Sequence, residues 1–308
     1  FRLAADRALQ LADVNFEEIP DAFVEIKEII RESTDGNLTL KVVDDKHISV
    51  LKDGKVKITV TCGEMSTLAV ETYQSMISTK DYESAELFLE RAGIKHIKTS
   101  NRSKTDLLLK LYDPRTGTEP VMKYSIKSDV GSDSTLYNAT PGTEIVFEIE
   151  GPLTDEIATK INSFKGDTKI KDSEAASKAN GKVKKKFVYM NDKGYRLKYL
   201  QKDDVFTNNL TLIDTAFPRI LAEMALKYYS GYRLNRVDAI TELIAKDNPV
   251  GVPQSICKDF YEHKVKSFLV SAALGMTQGT PWDVRETVTG GIILVKKSGD
   301  IVCYHLFD

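Results

Sequence analysis

Residues 105–110 have the sequence TDLLLK and residues 124–128 have the sequence YSIKS, and the pairing of these two stretches decides the fold. Between them, residues 113–117 (DPRTG) carry turn-forming residues at both ends. Two strand-like stretches joined by such a turn predict a β-hairpin. Folding the chain about a point near residue 116 brings the start of the first stretch against the end of the second.

The open end of this hairpin is where we expect chemistry. Asp106 lies opposite residues 125–127, and Ser125 and Lys127 share one face because side chains alternate along a strand. A carboxylate that holds Mg²⁺ and a lysine that orients or activates the attacking water are the smallest set of groups that a nuclease needs. An Asp opposite a Lys is also an ordinary cross-strand ion pair. Both interpretations stay open from these residues alone.

A missing acidic group weakens the nuclease interpretation. The generic nuclease pattern has an acidic residue two positions before the lysine, and that position is Ser125 here. A second carboxylate must therefore come from elsewhere or be replaced by water. Glu148 ranks first, because the apolar residues alternating with it predict a strand that could lie beside the hairpin. Glu150 on the same strand, Glu86 and Glu90 on the preceding helix, and Asp129 after Lys127 are the alternatives.

The hairpin is one of several short stretches that follow one another in a recognisable order. The others are GS at 131–132, STL at 134–136, NAT at 138–140, LID at 212–214, PRILA at 218–222, FYEHK at 260–264, ALGM at 273–276, GGII at 290–293 and CYH at 303–305. In this order the sequence resembles the HpaII-type restriction endonucleases, type II enzymes that cut double-stranded DNA at a short palindrome. The chain starts at Phe1, where the resemblance implies an earlier helix with acidic residues, and ends at Asp308, where it implies a further basic segment. It is expected to be either a fragment or a divergent member.

The resemblance implies a function, a cofactor and partners. It implies a Mg²⁺-dependent endonuclease that hydrolyses double-stranded DNA, with CCGG the first target to test. Asp106 would be the metal ligand, Lys127 would position the water, and Ser125 would support them. A palindromic target implies a twofold homodimer, and a cognate DNA methyltransferase would be expected in the host. The alternative is a non-cutting DNA-binding or protein-interaction protein on a degenerate or truncated nuclease fold, which the retained Asp106 and Lys127 disfavour.

Two further stretches are candidates for DNA contact. Residues 178–202 hold eight lysines and one arginine against a single acidic residue, so they carry a net charge of +8 in a chain whose net charge is −2. Such a basic ribbon, with Lys184, Lys185, Lys186 and Arg196, is typical of a phosphate-contacting surface. It is equally typical of a solvated flexible loop.

The second stretch is small and polar. Ser132 and Ser134 follow the catalytic strand immediately, within the sequence GSDST at residues 131–135. Such residues allow close approach to a phosphate or a base edge. A surface turn has the same composition, and only the family resemblance favours DNA contact.

Composition excludes several other classes. With 308 residues, 42% of them hydrophobic and 29% charged, the chain is large enough to bury a core that fixes a catalytic site. No apolar run approaches the ~20 residues that cross a bilayer. The three cysteines are too far apart for a disulfide framework or a Cys-x-x-Cys site, so a cytoplasmic protein is expected. No phosphate-loop motif supports an NTP-driven motor.

Hydrophobic periodicity predicts the remaining elements. The segment 17–33 is predicted to be an amphipathic helix because Phe23, Ile26, Ile29 and Ile30 fall on one face. Mixed helices and strands around the hairpin predict an α/β fold with a mixed-sheet, restriction-endonuclease-like core and a helical and β C-terminal part. Three regions are expected: 1–64, 65–165 as the nuclease core, and 166–308 for DNA contact and assembly. Further helices are predicted over 66–78, 81–92, 155–164, 216–230 and 255–274, strands within 38–60 and 145–149, and hairpins over 187–197 and 292–304.

Overall fold

The structure is a computed structural model that describes residues 1–33, 36–78, 81–94, 104–130, 142–231 and 236–306. The chain divides into two compact units. The first comprises Phe1–Tyr137, Ala272–Thr277 and Val284–Asp308, and the second comprises Asn138–Ser271 and Gln278–Asp283. These bounds differ from those of the three predicted regions, because the chain returns to the first unit after forming the second.

Helices and strands alternate irregularly along the chain, as expected for a mixed α/β fold. The strands are β1 (Ala8–Ala12), β2 (Glu18–Arg31), β3 (Leu38–Val42), β4 (His47–Lys52), β5 (Lys55–Thr61), β6 (Leu107–Tyr112), β7 (Val121–Ser128), β8 (Val146–Glu150), β9 (Arg196–Leu200), β10 (Gly291–Val295) and β11 (Ile301–His305). The α-helices are α1 (Arg2–Asp6), α2 (Cys62–Ser78), α3 (Glu83–Arg91), α4 (Asp155–Asn162), α5 (Glu174–Lys178), α6 (Lys182–Asp192), α7 (Val205–Ile213), α8 (Phe217–Tyr229), α9 (Val237–Asp247) and α10 (Cys257–Leu274).

The predicted hairpin is confirmed and lies in the middle of the main sheet. Nine strands of the first unit pair in the order β1-β11-β10-β7-β6-β2-β3-β4-β5. β6 and β7 are antiparallel, with Leu107 opposite Tyr124. On its other side β7 pairs in parallel with β10, which in turn pairs with β11 in the predicted last hairpin. Neighbours on both sides therefore hold the strand that carries Ser125 and Lys127.

Alternating side chains along β6 build the core around this hairpin. Leu107, Leu109 and Leu111 are buried, whereas the residues between them are only half-buried. Full burial of each such side chain stabilises the fold by ~1.5–3 kcal/mol. Tyr124 is fully buried, and a Cβ added at Gly290 would lie 2.3 Å from its ring. This close packing fixes the backbone that leads into the open end of the hairpin.

The helix predicted over residues 17–33 is wrong, because this segment forms the long strand β2. Between Ile26 and Glu28 the pairing of β2 with β6 shifts by one residue, which is a β-bulge. The bulge lets both Ile26 and Ile29 enter the core, although residues three apart in a regular strand face opposite sides. Phe23, expected on the same buried face, is 62% exposed.

In the second unit, the hairpin predicted over 187–197 is wrong. Lys182–Asp192 is the helix α6, and only Arg196 and Leu197 of the segment belong to a strand, β9, which pairs with β8 in a separate two-stranded sheet. The helix ends in a Schellman motif: Gly194 has φ +80°, its N–H donates to Asn191, and the N–H of Tyr195 donates to the carbonyl of Met190. A glycine that signals a hairpin turn equally signals this kind of helix end.

The helices of the two units are short or polar. Throughout the part of the chain that the structure describes, none combines the length and the apolar character needed to span a bilayer.

Candidate active site

The Asp106 carboxylate lies where the pairing of the hairpin strands ends. The N–H of Asp106 donates to the Tyr124 carbonyl at 2.9 Å. Its Oδ2 accepts the next N–H of β7, from Ile126, at 2.7 Å and the Ser125 hydroxyl at 3.2 Å. The predicted juxtaposition of Asp106 with Ser125 is therefore confirmed. The two bonds fix the carboxylate, and no described residue donates to its other oxygen, Oδ1.

Ser125 has a structural part in this arrangement. Its side chain is only 1% exposed, so a glutamate there would have to bury a charge beside the Asp106 carboxylate. The hydroxyl instead supplies a donor to this half-buried carboxylate. The residue in the usual acidic position is thus a hydrogen-bond partner of Asp106.

Lys127 lies two residues beyond Ser125 on β7, opposite Leu294 of β10. Its side chain is half-buried. Among the described residues no ion pair joins it to Asp106, so the simple cross-strand ion pair is not formed. The two charged groups share one end of the hairpin without neutralising each other by contact.

Lys104 is a third charged group at this site, and sequence reasoning missed its part. The pKa of Lys104 is lowered to about 8, mainly because burial disfavours its charge; the Lys127 ammonium adds to the effect and the Asp106 carboxylate opposes it. The sequence could have indicated this part, because Lys104 is only two residues before Asp106 and so must lie near it. Two lysines and one carboxylate thus interact electrostatically at the open end of the hairpin.

The structure does not bring Glu148 into the main sheet. β8 pairs with β9 in the second unit, with Glu148 opposite Lys198, so the expectation that its strand neighbours the hairpin is wrong. The strands beside β6 and β7 are β2 and β10. In the described part of the chain no group of three or more His, Cys, Asp or Glu side chains is placed to hold a metal.

Three of the alternative acids, Glu86, Glu90 and Asp129, are in the first unit. Asp129 follows β7 directly, and its N–H donates to the Val295 carbonyl at 2.9 Å. Glu86 lies in the first turn of α3. That Glu148 holds a metal stays a prediction. The strand pairing from which it was inferred, β8 beside the hairpin, is not formed.

The predicted DNA-contacting lysines differ in their surroundings. Lys185 is only 3% exposed, and its ammonium donates to the carbonyls of Ala176 and Ser177 at the end of α5. It therefore holds α5 against α6 and is not available to a phosphate, which corrects the expectation for this residue. The Lys184 ammonium lies 4.3 Å from the centre of the Tyr228 ring, a cation–π contact.

The other predicted DNA contacts are less constrained. Lys186 donates to Asn162 at 3.4 Å, and Arg196 is exposed at the start of β9. Ser132 and Ser134 lie outside the described residues. The basic ribbon is thus an ordered helix and strand rather than a loop.

Comparison with known proteins identifies the family of this chain. The sequence model described as HpaII restriction endonuclease matches residues 1–308. The type II restriction enzyme HpaII of Haemophilus parainfluenzae is 32% identical over 314 residues, which cover 100% of this chain and 82% of the relative. No solved structure matches. The chain belongs to the HpaII restriction endonuclease family and is a type II restriction enzyme, a site-specific DNA endonuclease.

Proposed function

We propose that this enzyme hydrolyses phosphodiester bonds of double-stranded DNA at a short palindrome with Mg²⁺, and that the reaction takes place at the open end of the β6–β7 hairpin. One observation carries the assignment of the site. The Asp106 carboxylate is fixed through one oxygen, and its other oxygen accepts no hydrogen bond from any described residue. Lys127 lies at the same end of the hairpin, and Lys104 is within electrostatic reach of both groups. A phosphodiester needs these groups: an acid to hold a hard cation, and ammonium groups to meet developing negative charge.

The donor set at Asp106 suits Mg²⁺. This cation is commonly held by one or two carboxylates, with water and substrate phosphate completing its shell. Asp106 Oδ1 would hold it, while Ser125 and the Ile126 N–H keep the carboxylate in one orientation. When bound, Mg²⁺ polarises the scissile phosphate and makes a bound water more acidic.

The lysines act on the phosphate and the water. Lys127 orients the attacking water and stabilises the charge that builds up on the phosphate oxygens. Lys104 adds positive charge from the segment that precedes β6, within electrostatic reach of Lys127. Positive charge near the phosphate favours the transition state over the singly charged substrate.

The second metal carboxylate can be identified by titration. Glu148→Gln removes a charge and keeps the shape of the side chain, so we expect the fold to survive and cleavage to require more Mg²⁺. Cleavage rates across a Mg²⁺ series, with Asp167→Asn at an exposed acid of the same unit as control, are the measurement. Unchanged Mg²⁺ dependence would reject Glu148, and the same series on Asp129→Asn and Glu86→Gln would follow.

The target and the partners are part of the same proposal. CCGG is the first palindrome to test, and a palindrome read by identical subunits calls for a twofold homodimer in which each subunit cuts one strand. A methyltransferase with the same target would protect the host DNA. Such an enzyme works in the cytoplasm, where that DNA lies.

Cleavage of a fully sequenced plasmid tests the proposal. The enzyme is expected to produce discrete fragments with Mg²⁺ and none with a chelator, and sequencing of the ends should return one palindrome. Binding without cleavage under every metal condition would favour the alternative, a DNA-binding protein on the same fold. Mapped ends at several unrelated sequences would contradict site-specific cutting.

Substitutions of the lysines of α6 can distinguish a role in DNA contact from a role in structural support. Lys184→Gln with Lys186→Gln is expected to weaken binding of specific and random DNA alike and to flatten the slope of log affinity against log salt by about 2, since each phosphate contact contributes about 0.9. Lys185→Gln is the matched comparison, because its buried ammonium serves two carbonyls. It is expected to lower the free energy of unfolding by about 1–3 kcal/mol and to leave the salt slope unchanged. Salt-dependent binding curves and urea unfolding measure the two effects.

A further inference from the structure

The segment Val284–Glu286, which precedes β10, is exposed and strained. Val284 has φ +67°, in the left-handed region that β-branched residues almost never adopt. Its side chain is 55% exposed, so no core contact explains the conformation. Strain of this kind persists only where the surrounding structure imposes it, and it concentrates at functional sites.

Close backbone contacts impose this conformation from within the first unit. A Cβ added at Gly275 would lie 2.5 Å from the Arg285 carbonyl oxygen, so the two chain segments touch. The N–H groups of Thr287 and Val288 both donate to the Leu274 carbonyl, at 2.9 and 2.8 Å. The segment is therefore clamped against the end of α10 while its side chains point away from the core.

The preceding residues are fixed as well, within the second unit. Asn209 is only 2% exposed, and its amide donates to the Thr280 carbonyl and accepts the N–H of Trp282. These hydrogen bonds fix Thr280 and Trp282 within the second unit. The contacts with Leu274 and Gly275 separately fix Val284–Glu286 within the first unit.

The segment also ends beside the proposed catalytic groups. The hydroxyl of Thr105, the residue before Asp106, donates to the Thr287 carbonyl at 3.3 Å. The N–H groups of Thr289 and Gly290 donate to the Lys123 carbonyl, which ties the following residues to β7. Side chains of Val284–Glu286 are therefore presented from the backbone that borders the hairpin end.

The chemistry of the exposed side chains suits base edges better than phosphates. Arg285 offers a planar fork of donors that matches O6 and N7 of guanine in the major groove. Its neighbour Glu286 is exposed and acidic, and a carboxylate is repelled by phosphates but can accept from the amino group of cytosine. A segment made only to hold the DNA backbone would not carry this acid.

We propose that Arg285 determines sequence specificity by donating two hydrogen bonds to a guanine of the recognition sequence, with Val284–Glu286 held rigid for that purpose. The proposal rests on the proposed function, because it needs DNA bound at the hairpin end. Arg285 acts on target choice rather than on the phosphate that is cut.

A guanine analogue tests the contact directly on the intact enzyme. The target is first mapped with wild-type protein, and duplexes are then made with 7-deazaguanine, which lacks the N7 acceptor, at each guanine of the site. At one of these guanines the analogue is expected to weaken wild-type binding about fivefold or more. For Arg285→Ala and Arg285→Lys the same change should weaken binding less than twofold, since the paired donor is gone or misplaced.

The variants give a second readout. Arg285→Ala and Arg285→Lys should each bind the mapped target about 10- to 100-fold more weakly and random DNA within about threefold of wild type, with the salt slope unchanged. Arg115→Ala, at the turn of the hairpin, is the matched control and should change neither. Melting curves confirm that the variants are folded.

Other results would overturn the inference. Equal losses on target and random DNA with a flatter salt slope would make Arg285 a phosphate contact. An analogue effect that is the same in wild type and both variants would remove Arg285 from base reading. Failure of wild-type enzyme to cut any plasmid would instead refute the proposed function, and it would be seen at the mapping step before any Arg285 variant is used.

Discussion

Lys127→Ala is expected to reduce the rate of DNA cleavage about 100- to 1,000-fold or more, while DNA affinity stays within roughly a factor of ten. Loss of one preorganised donor at developing charge typically costs that much in rate. Binding depends on many phosphate contacts, of which a single one contributes only ~1–2 kcal/mol. Single-turnover cleavage and equilibrium binding of the same duplex measure the two quantities.

Lys123 offers a matched control for this prediction. It lies on the same strand and the same face, four residues before Lys127, but it is exposed and away from the hairpin end. Lys123→Ala should retain nearly all of the cleavage rate. If the Lys127 variant keeps more than about a tenth of the wild-type rate, the site has been placed wrongly.

Asp106→Asn is expected to have a comparable effect through a different cause. The Asn side-chain oxygen can still accept the N–H of Ile126 and the hydroxyl of Ser125, so the hairpin end should keep its shape. The amide nitrogen then replaces Oδ1, which leaves no oxygen to hold a cation there. Cleavage should fall about 1,000-fold or more at every Mg²⁺ concentration, with the melting temperature changed by only a few degrees.

The comparison that makes this result specific is Asp167→Asn, an exposed acid of the second unit. It should leave both cleavage and Mg²⁺ dependence unchanged. Restoration of Asp106→Asn activity by high Mg²⁺ would show that the carboxylate tunes metal binding without being required for it. An unfolded variant would show instead that the buried hydrogen bonds, and not the metal, need the charge.

Local sequence patterns were sufficient to predict an element when they fitted one kind of element alone. The hairpin was predictable because two strand-like stretches flank a turn with turn-forming residues at both ends, and the register then follows from the position of the turn. That register places Asp106 beside Ser125, so this half of the site could be found from the sequence.

Patterns failed where one signal has two structural meanings. The i, i+3 spacing of Ile26 and Ile29 is typical of a helix, yet a bulge in a long strand produces it too. Gly194 ends a helix as readily as it turns a hairpin. Tertiary partners decide between such meanings. Pairing with β6 makes residues 18–31 a strand. In the same way, the carbonyls of α5 give Lys185 a structural part that its charge alone does not indicate.

The parts of the site that sequence reasoning missed depend on distant segments. Thr287 is 182 residues from Thr105 along the chain, and a hydrogen bond joins the two. The left-handed conformation of Val284 cannot be recognised from the residue types around it. Glu148 was misplaced relative to the sheet for the same reason. A strand pattern shows that a strand exists but does not show which strand pairs with it.

The parallel pairing of β7 with β10 has a consequence for biosynthesis. The whole second unit separates these two strands along the chain, so β7 lacks one neighbour until β10 has left the ribosome. Such non-local pairing forms slowly, and an unfinished sheet presents an open edge in the meantime. A nascent chain would therefore hold an incomplete hydrolytic centre, and cutting activity would begin only when synthesis of β10 and β11 is finished.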